Sequence, residues 1–215
     1  NSSMSYNNIA VHPITGKEVA PGERGDLQIS SPCSMKKYIN NQEATEAFYT
    51  TDAQGRRWAK TGDVASCSAE GIYRVYGRKD DSFITPEGEV VYLFDIEHLV
   101  EEIEGVKECE VVATTLDGKD VPVVHVVLMP EYDNTGEAVL QSIDKACKST
   151  LQPQAFPYLY KIRKDFEISS VSAKRNYQVL IDETDGFIRL DETGLHYVCI
   201  HGQTIRADTA VAKLL

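Results

Sequence analysis

The spacing of apolar and polar positions changes several times along the chain, and those changes predict its elements. Residues 13–31 mix turn signals with a period-two run at Asp26–Ser30, which predicts turns feeding a strand. Asn41–Tyr49 places Ala44, Ala47 and Phe48 on one face of a short helix, and AQGRR then makes a turn. From Trp58 the pattern is strand-like again: WAKTGDVAS, a turn at AEG, then Ile72–Tyr76. The charged run GRKDD closes this β-rich opening. Beyond it SFITPEGEVVY reads as a hairpin, and Leu93–Ile103 repeats Ile96, Leu99, Val100 and Ile103 at helical spacing. Val106–Thr115 and Val121–Met129 are β-branched runs joined across an Asp-Gly turn. Leu140–Leu151 is amphipathic through Ile143, Ala146, Cys147 and Leu151, and stops before Pro153. Lys161–Ser169 alternates and supplies the last strand of a β-α-β-β-α-β lobe.

The stretch after Ile181 echoes itself: DETDGFIRL, then DETGLHYVCI, then HGQTIRA. Three short strand-like runs separated by two turn signals predict a small antiparallel meander packed on the lobe, because Phe187, Ile188, Leu195, Val198 and Ile200 are too apolar to stay solvated. The fold class expected is α+β, in three parts. Residues 1–77 form a β-rich subdomain; 78–180 form a small α+β lobe with a short antiparallel or mixed sheet flanked by helices; 181–215 form the meander extension.

Composition narrows the classes. With 215 residues, 42% hydrophobic and 26% charged, the chain is neither collagen-like, wholly disordered nor a disulfide scaffold. Asp plus Glu number 33 against 22 Lys plus Arg, a net charge of −11, which argues against nucleic acid or an anionic membrane as a general partner. An anion site must therefore be locally basic. The longest apolar stretch, Val121–Met129, is interrupted by His125 and falls far short of the roughly 20 residues that span a bilayer. NSSMSYNN has neither a basic start nor an apolar run, and the five scattered cysteines include no CxxC pair. Together these features predict a cytoplasmic chain with reduced thiols.

Several catalytic signatures are absent: GxxxxGK[ST], GxGxxG, GxSxG and HExxH. In HYVCIH a strand puts Cys199 and His201 on one face and His196 on the other, so no metal site is expected in this chain. Three islands remain: Trp58–Asp63, the run from Gly77 to Gly88 with Asp95-Ile96-Glu97 after it, and Ser170–Asn176. Singly they read as a turn, a solvated linker and a basic surface loop.

In this order they resemble the adenylate-forming superfamily, which includes acyl-CoA synthetases, luciferases and the adenylation domains of peptide synthetases. PGERGDLQISSP and KYINNQEATEAF look like the family's strand and the segment after it. KTGDV looks like its TGD motif, AEGIYRVYGRKDD like its G-R-x-D-D motif, IEHLVEEIEGVKECEVVA like the helix and strand of its C-terminal lobe, and SAKRNYQVL like its terminal lysine motif. The resemblance covers roughly residues 15–180. It implies that Asp63 accepts hydrogen bonds from the ribose hydroxyls of ATP, with Thr61 of the same motif at the nucleotide site, and that Arg78 lies near ribose and phosphate. It makes Asp80 the hinge about which the C-terminal lobe reorients, and puts Gly88 in a loop lining the CoA path. Lys174 becomes the catalytic lysine that neutralises charge as the acyl adenylate forms. The chemistry implied is ping-pong: carboxylate plus MgATP gives acyl-AMP and pyrophosphate, and the CoA thiol then displaces AMP. The basic stretch around Lys174 agrees, since Lys161, Arg163, Lys164, Lys174 and Arg175 outnumber Asp165 and Glu167 there.

The departures are Ala173 before the lysine, Lys37 before Tyr38, and Pro86 in the loop after the hinge. The family's phosphate loop, its magnesium-ligating glutamate and its acyl pocket have no match here. The chain thus looks like a C-terminal piece whose partners are the N-terminal lobe of the same enzyme, a small carboxylate, ATP and CoA. The fragment by itself is expected to be inactive. The alternatives are an adenylation domain serving a carrier protein, and a non-catalytic docking or regulatory lobe of the same fold.

Overall fold

The computed structural model describes residues 7–168, 177–192, 194–201 and 204–207. The chain divides into two compact units, Asn1–Asp80 and Asp81–Leu215.

The first unit is built on one antiparallel sheet. Its elements are β1 (Asn7–Val11), β2 (Arg24–Ser30), α1 (Gln42–Phe48), β3 (Tyr49–Thr51), β4 (Arg57–Cys67) and β5 (Tyr73–Arg78). The order is β1-β2-β4-β3, with β5 also paired to β4. The pattern of residues did not predict β1: its polar start hides a strand that exists because β2 pairs with it from Asn7↔Ser30 to Val11↔Asp26, burying Ala10 and Val11. Helix α1 begins where Asn41 caps it, the side chain accepting from the Ala44 amide at 2.9 Å. Strand β4 is long because it serves successive partners, β3 along Arg57–Ala59 and β5 along Asp63–Cys67, while β2 pairs with it as well.

The second unit opens with the predicted hairpin, β6 (Ser82–Ile84) and β7 (Val90–Tyr92), followed by α2 (Leu93–Glu101). Next come β8 (Val106–Leu116), β9 (Lys119–Leu128), α3 (Gly136–Thr150), β10 (Leu159–Arg163), α4 (Tyr177–Ile181), β11 (Phe187–Asp191), β12 (Gly194–His201) and β13 (Thr204–Ala207). The turn between β8 and β9 is Asp117-Gly118, both at positive φ, as a tight hairpin linking right-twisted strands requires. Six strands make a mixed sheet in the order β13-β12-β11-β10-β9-β8, parallel between β9 and β10 and antiparallel elsewhere. One face carries α2 and α3 over a core that includes Ile96, Val100, Leu140, Ile143, Val124 and Tyr160. The other face carries α4 through Leu180, with Phe166, over Val112, Val123, Leu159 and Phe187.

Two expectations shift. Helix α3 starts at Gly136, about one turn before the Leu140 start that the sequence pattern predicts, after a 3-10 turn at Pro130–Thr135. Strand β10 occupies Leu159–Arg163 instead of Lys161–Ser169: its parallel partner β9 runs out at Leu128, one residue past the Arg163↔Val127 pair, so the alternation beyond has nothing to pair with. The meander is present as expected, and it joins the lobe by extending its sheet edge to edge, β11 pairing with β10. This completes an α+β architecture of a β-rich unit followed by a mixed-sheet lobe.

Candidate functional site

The TGD island is a bulge in β4. On β2 the pairs Asp26↔Val64 and Gln28↔Lys60 leave Leu27 alone opposite Thr61, Gly62 and Asp63. Extra residues in one strand bend it and re-aim its side chains. The bulge is held from within: the Thr61 hydroxyl donates to the Leu27 carbonyl at 3.0 Å and accepts from the Asp63 amide at 3.0 Å. Gly62 takes φ +77°, and a Cβ there would come within 2.6 Å of Arg78 Nη2. Glycine is favoured here by the left-handed backbone, and a Cβ would also push the guanidinium aside.

Strand β5 delivers that guanidinium. Asp63 and Arg78 are register partners, and Arg78 Nη1 donates to Asp63 Oδ1 at 2.9 Å and to the Thr61 carbonyl at 3.0 Å. Its Nη2 lies 3.8 Å from Asp80 Oδ2. Asp63 is one-third exposed and Arg78 about half exposed, at 33% and 53% of their side-chain surface. A pair this wet contributes about 0 to 1 kcal/mol, so what it secures is orientation: two opposite charges side by side on strand backbone. Lys79 closes the arrangement, its amide donating to the Gly62 carbonyl at 2.8 Å and its ammonium pairing with Asp26.

Of the residues singled out from sequence, Thr61, Asp63, Arg78 and Asp80 come together here. Asp80 is the most exposed of them, at 86%, and is the last residue of the first unit. Gly88 belongs to the second unit, in the β6–β7 turn, at φ +87° with its amide donating to the Thr85 carbonyl at 2.9 Å. Lys174 lies outside the described residues, as do Ala173 and the rest of 169–176. Hollows of about 530 Å³ beside Ser30, Tyr49 and Arg57, and of about 730 Å³ beside Asn134, Gly136 and Tyr197, contain none of these side chains.

Sequence reasoning missed a second polar cluster, inside the second unit. His125 on β9 is fully buried, and its Nδ1 accepts from Arg163 Nε at 3.0 Å. Burial, then the charges of Arg163 and Lys161, push its pKa down to about 3. Glu183 pairs with both Lys161 and Arg163. The signal was the one histidine interrupting the most apolar strand. Among the described residues no three His, Cys, Asp or Glu side chains come together to hold a metal ion, and no helix is long and apolar enough to cross a membrane.

No protein-family model matches the chain. Known proteins do. The 2-succinylbenzoate–CoA ligase of Listeria monocytogenes is 33% identical over 141 residues, covering 65% of this chain and 28% of that one. Nonribosomal peptide synthetase 7 of Aspergillus fumigatus is 33% identical over 109 residues, covering 50% of this chain and 4% of that one. Among solved structures, ATP-bound MatB from Rhodopseudomonas palustris superposes with a TM-score of 0.67 at 23% identity, over 81% of this chain and 33% of that one, which is a likeness of fold. The chain spans about a third or less of the length of these relatives. By sequence the chain is acyl-CoA-synthetase-like, similar to ligases that act on CoA, and by fold it is similar to MatB.

Proposed function

We propose that these residues are the C-terminal part of an ATP-dependent ligase that joins a carboxylic acid to the CoA thiol through an acyl adenylate. The observation that carries the reading is the TGD bulge with its Asp63–Arg78 pair. A carboxylate has lone pairs for several donors, so Asp63 can hold Arg78 through Oδ1 and still accept both hydroxyls of a ribose. Arg78 keeps N–H groups for phosphate oxygens and cannot lose its charge. Thr61 sets the bulge through its hydroxyl and lies with Asp63 at the proposed nucleotide site.

In the first half-reaction a substrate carboxylate oxygen attacks the α-phosphorus of ATP, the bond to pyrophosphate breaks, and acyl-AMP forms. The Lys174 ammonium offsets the charge that gathers between carboxylate and phosphate. In the second, the thiol sulfur attacks the acyl carbon, the bond to AMP breaks, and the thiol proton is lost. Asp80, exposed at the junction of the two units, is the proposed hinge between the half-reactions, and the turn at Gly88 is the proposed edge of the thiol's path. Magnesium would neutralise the triphosphate, and the described residues here do not fit as its ligands. The phosphate loop, the magnesium ligand and the acyl pocket are assigned to an N-terminal lobe, so the 215-residue chain alone should form no acyl adenylate. Similarity to a peptide synthetase supports a second acceptor, a carrier-protein thiol.

The test is Lys174→Ala in a longer enzyme containing these residues. Carboxylate-dependent pyrophosphate exchange should fall about 10² to 10³-fold, while transfer from supplied acyl-AMP to CoA changes little. Equal loss in both steps would make Lys174 structural. No exchange by the unmutated enzyme with any carboxylate would leave the docking-lobe alternative instead.

A further inference from the structure

The chain carries 33 acidic residues against 22 basic ones, yet among the described residues no acidic side chain lines the hollow of about 530 Å³ in the first unit. Its walls include the hydroxyl side chains of Ser30, Ser31 and Ser34 and the cations Lys36, Arg56 and Arg57. Hydroxyl and cationic N–H donors around one hollow suit an oxyanion with several acceptor oxygens. Like charges gathered in one place repel each other, and a bound anion relieves that cost. In a chain of net charge −11 this local excess of positive charge stands out.

The cations are set in place by neighbours that do not neutralise them. Arg57 stacks on Tyr49, its guanidinium carbon 3.8 Å from the ring centroid, and its Nη2 donates to the Lys36 carbonyl at 3.3 Å. Tyr49 is fixed in turn by its hydroxyl, which donates to the Met35 carbonyl. Backbone pairing holds the other end, Arg57 on β4 lying opposite Thr51 on β3. Among the described residues Arg57 and Lys36 have no carboxylate partner. Arg56 has a loose one, its Nε 3.9 Å from Asp52 Oδ2. Asp52 is already engaged by the amides of Gln54 and Arg56 at 3.0 and 2.8 Å and by the Trp58 ring N–H at 3.0 Å. Both guanidinium groups therefore keep N–H donors to spare, and a planar fork held by stacking loses little freedom when it closes on an oxyanion.

We propose that this hollow is a phosphate-binding site, in which Arg57, Lys36 and Arg56, with the serine hydroxyls, hold the phosphate group of a small soluble ester. The guanidinium of Arg57 forks to two oxygens, and the Lys36 ammonium and a hydroxyl serve the others. A volume of about 530 Å³ falls in the range of small-molecule sites, roughly 300 to 1,000 Å³, leaving room for the organic part of the ester beside Met35 and Pro32. None of Thr61, Asp63 and Arg78 lines the hollow, so the proposal stands or falls without the ligase reading. A lipid headgroup offers the same phosphate chemistry, but an anionic bilayer repels a chain of net charge −11, and the experiment has an arm for it.

The probe is inorganic phosphate, titrated into the isotope-labelled 215-residue chain at ionic strength matched with chloride and followed by backbone amide shifts. The amides of Ser31, Ser34, Lys36 and Arg57 should shift together and saturate, with an apparent Kd on the order of a few millimolar. Arg57→Gln should weaken this binding about tenfold, and Arg57→Lys should not restore it, since a point charge replaces the fork. Because Arg57→Gln also gives up the stack on Tyr49 and could loosen the sheet, Lys36→Gln, at an exposed position, serves beside it and should weaken binding about threefold. Arg78→Gln should leave these shifts as they are, which separates the hollow from the nucleotide site proposed above. Shifts that never saturate, or that persist unchanged in both Arg57→Gln and Lys36→Gln, would overturn the proposal. So would sedimentation of the chain with phosphatidylcholine vesicles containing phosphatidic acid when inorganic phosphate gives no response, which would assign the cations to a lipid surface.

Discussion

His125 shows how much one side chain can bind the lobe's stability to pH. It accepts from Arg163 through Nδ1, so the neutral ring carries its proton on Nε2, which has no hydrogen-bond partner among the described residues. Around it stand Arg163 and Lys161 from β10, Glu110 opposite on β8, and the Phe187 ring at 5.9 Å. Burial and the two cations hold its pKa near 3 against an ordinary 6.5. Between those values the unfolded chain binds the proton and the folded chain does not. The stabilisation is therefore complete above pH 6.5 and is lost as pH falls toward 3, to a limit on the order of 5 kcal/mol. His125→Gln keeps an acceptor for Arg163 and removes the titration. The urea midpoint of the variant should vary less between pH 6.5 and 4 than that of the parent chain. Identical curves would assign the acid sensitivity to carboxylates instead.

At the level of elements, α2 is attached to the sheet by more than its apolar stripe. Leu93, Phe94, Ile96 and Val100 are buried, and Glu97 accepts from the Val111 amide of β8 at 2.8 Å. Strand β8 ends the sheet order, so amides on its outer side face away from β9 and need partners from elsewhere. Burial raises the Glu97 pKa, and the amide bond from Val111 works against it. The carboxylate is retained because a buried strand edge would otherwise hold an unpaired donor. Glu97→Leu, though more apolar, should cost about 1 to 3 kcal/mol, while Glu97→Gln, which still accepts, should stay within about 0.5. Equal urea midpoints for Leu and the parent chain would show that the bond contributes nothing. The TGD bulge obeys the same accounting of donors and acceptors, its Thr61 hydroxyl taking up what the interrupted ladder leaves open.

For the whole molecule, the consequence of the meander is that the lobe's sheet does not end at β10. Strand β11 pairs with β10, and Phe187, Ile188, Val198 and Ile200 are buried among the cores on both faces. Ending the chain after Asp185 would keep Glu183 but remove these four side chains, each contributing about 1.5 to 3 kcal/mol. That sum is comparable with the entire stability of a typical domain. The truncated chain should therefore lose cooperative unfolding of the second unit while the first unit, with Trp58 buried in its own sheet, retains its transition. An unchanged Tm and a fully dispersed amide spectrum after truncation would show the extension to be an accessory.

What was legible from residues alone was whatever local chemistry dictates. Asn41–Tyr49 holds a short helix, Asp117-Gly118 takes a turn open to few other pairs, and the helical spacing of Ile96, Leu99 and Val100 admits one buried face. The order of short motifs was equally legible, because residue types such as Asp63 and Arg78 are read without knowing where they lie. Tertiary structure decided the rest. That Thr61-Gly62-Asp63 is a bulge and not a turn depends on Leu27, more than thirty positions earlier, facing it across the sheet. That β1 is a strand depends on β2, and that β10 stops at Arg163 depends on where β9 ends. The joining of His125, Arg163 and Glu183 comes from strands and a returning loop brought together by folding. Periodicity fixes which face a side chain takes, but pairing partners, register and charge clusters are long-range contacts, and their energies appear only when distant segments meet.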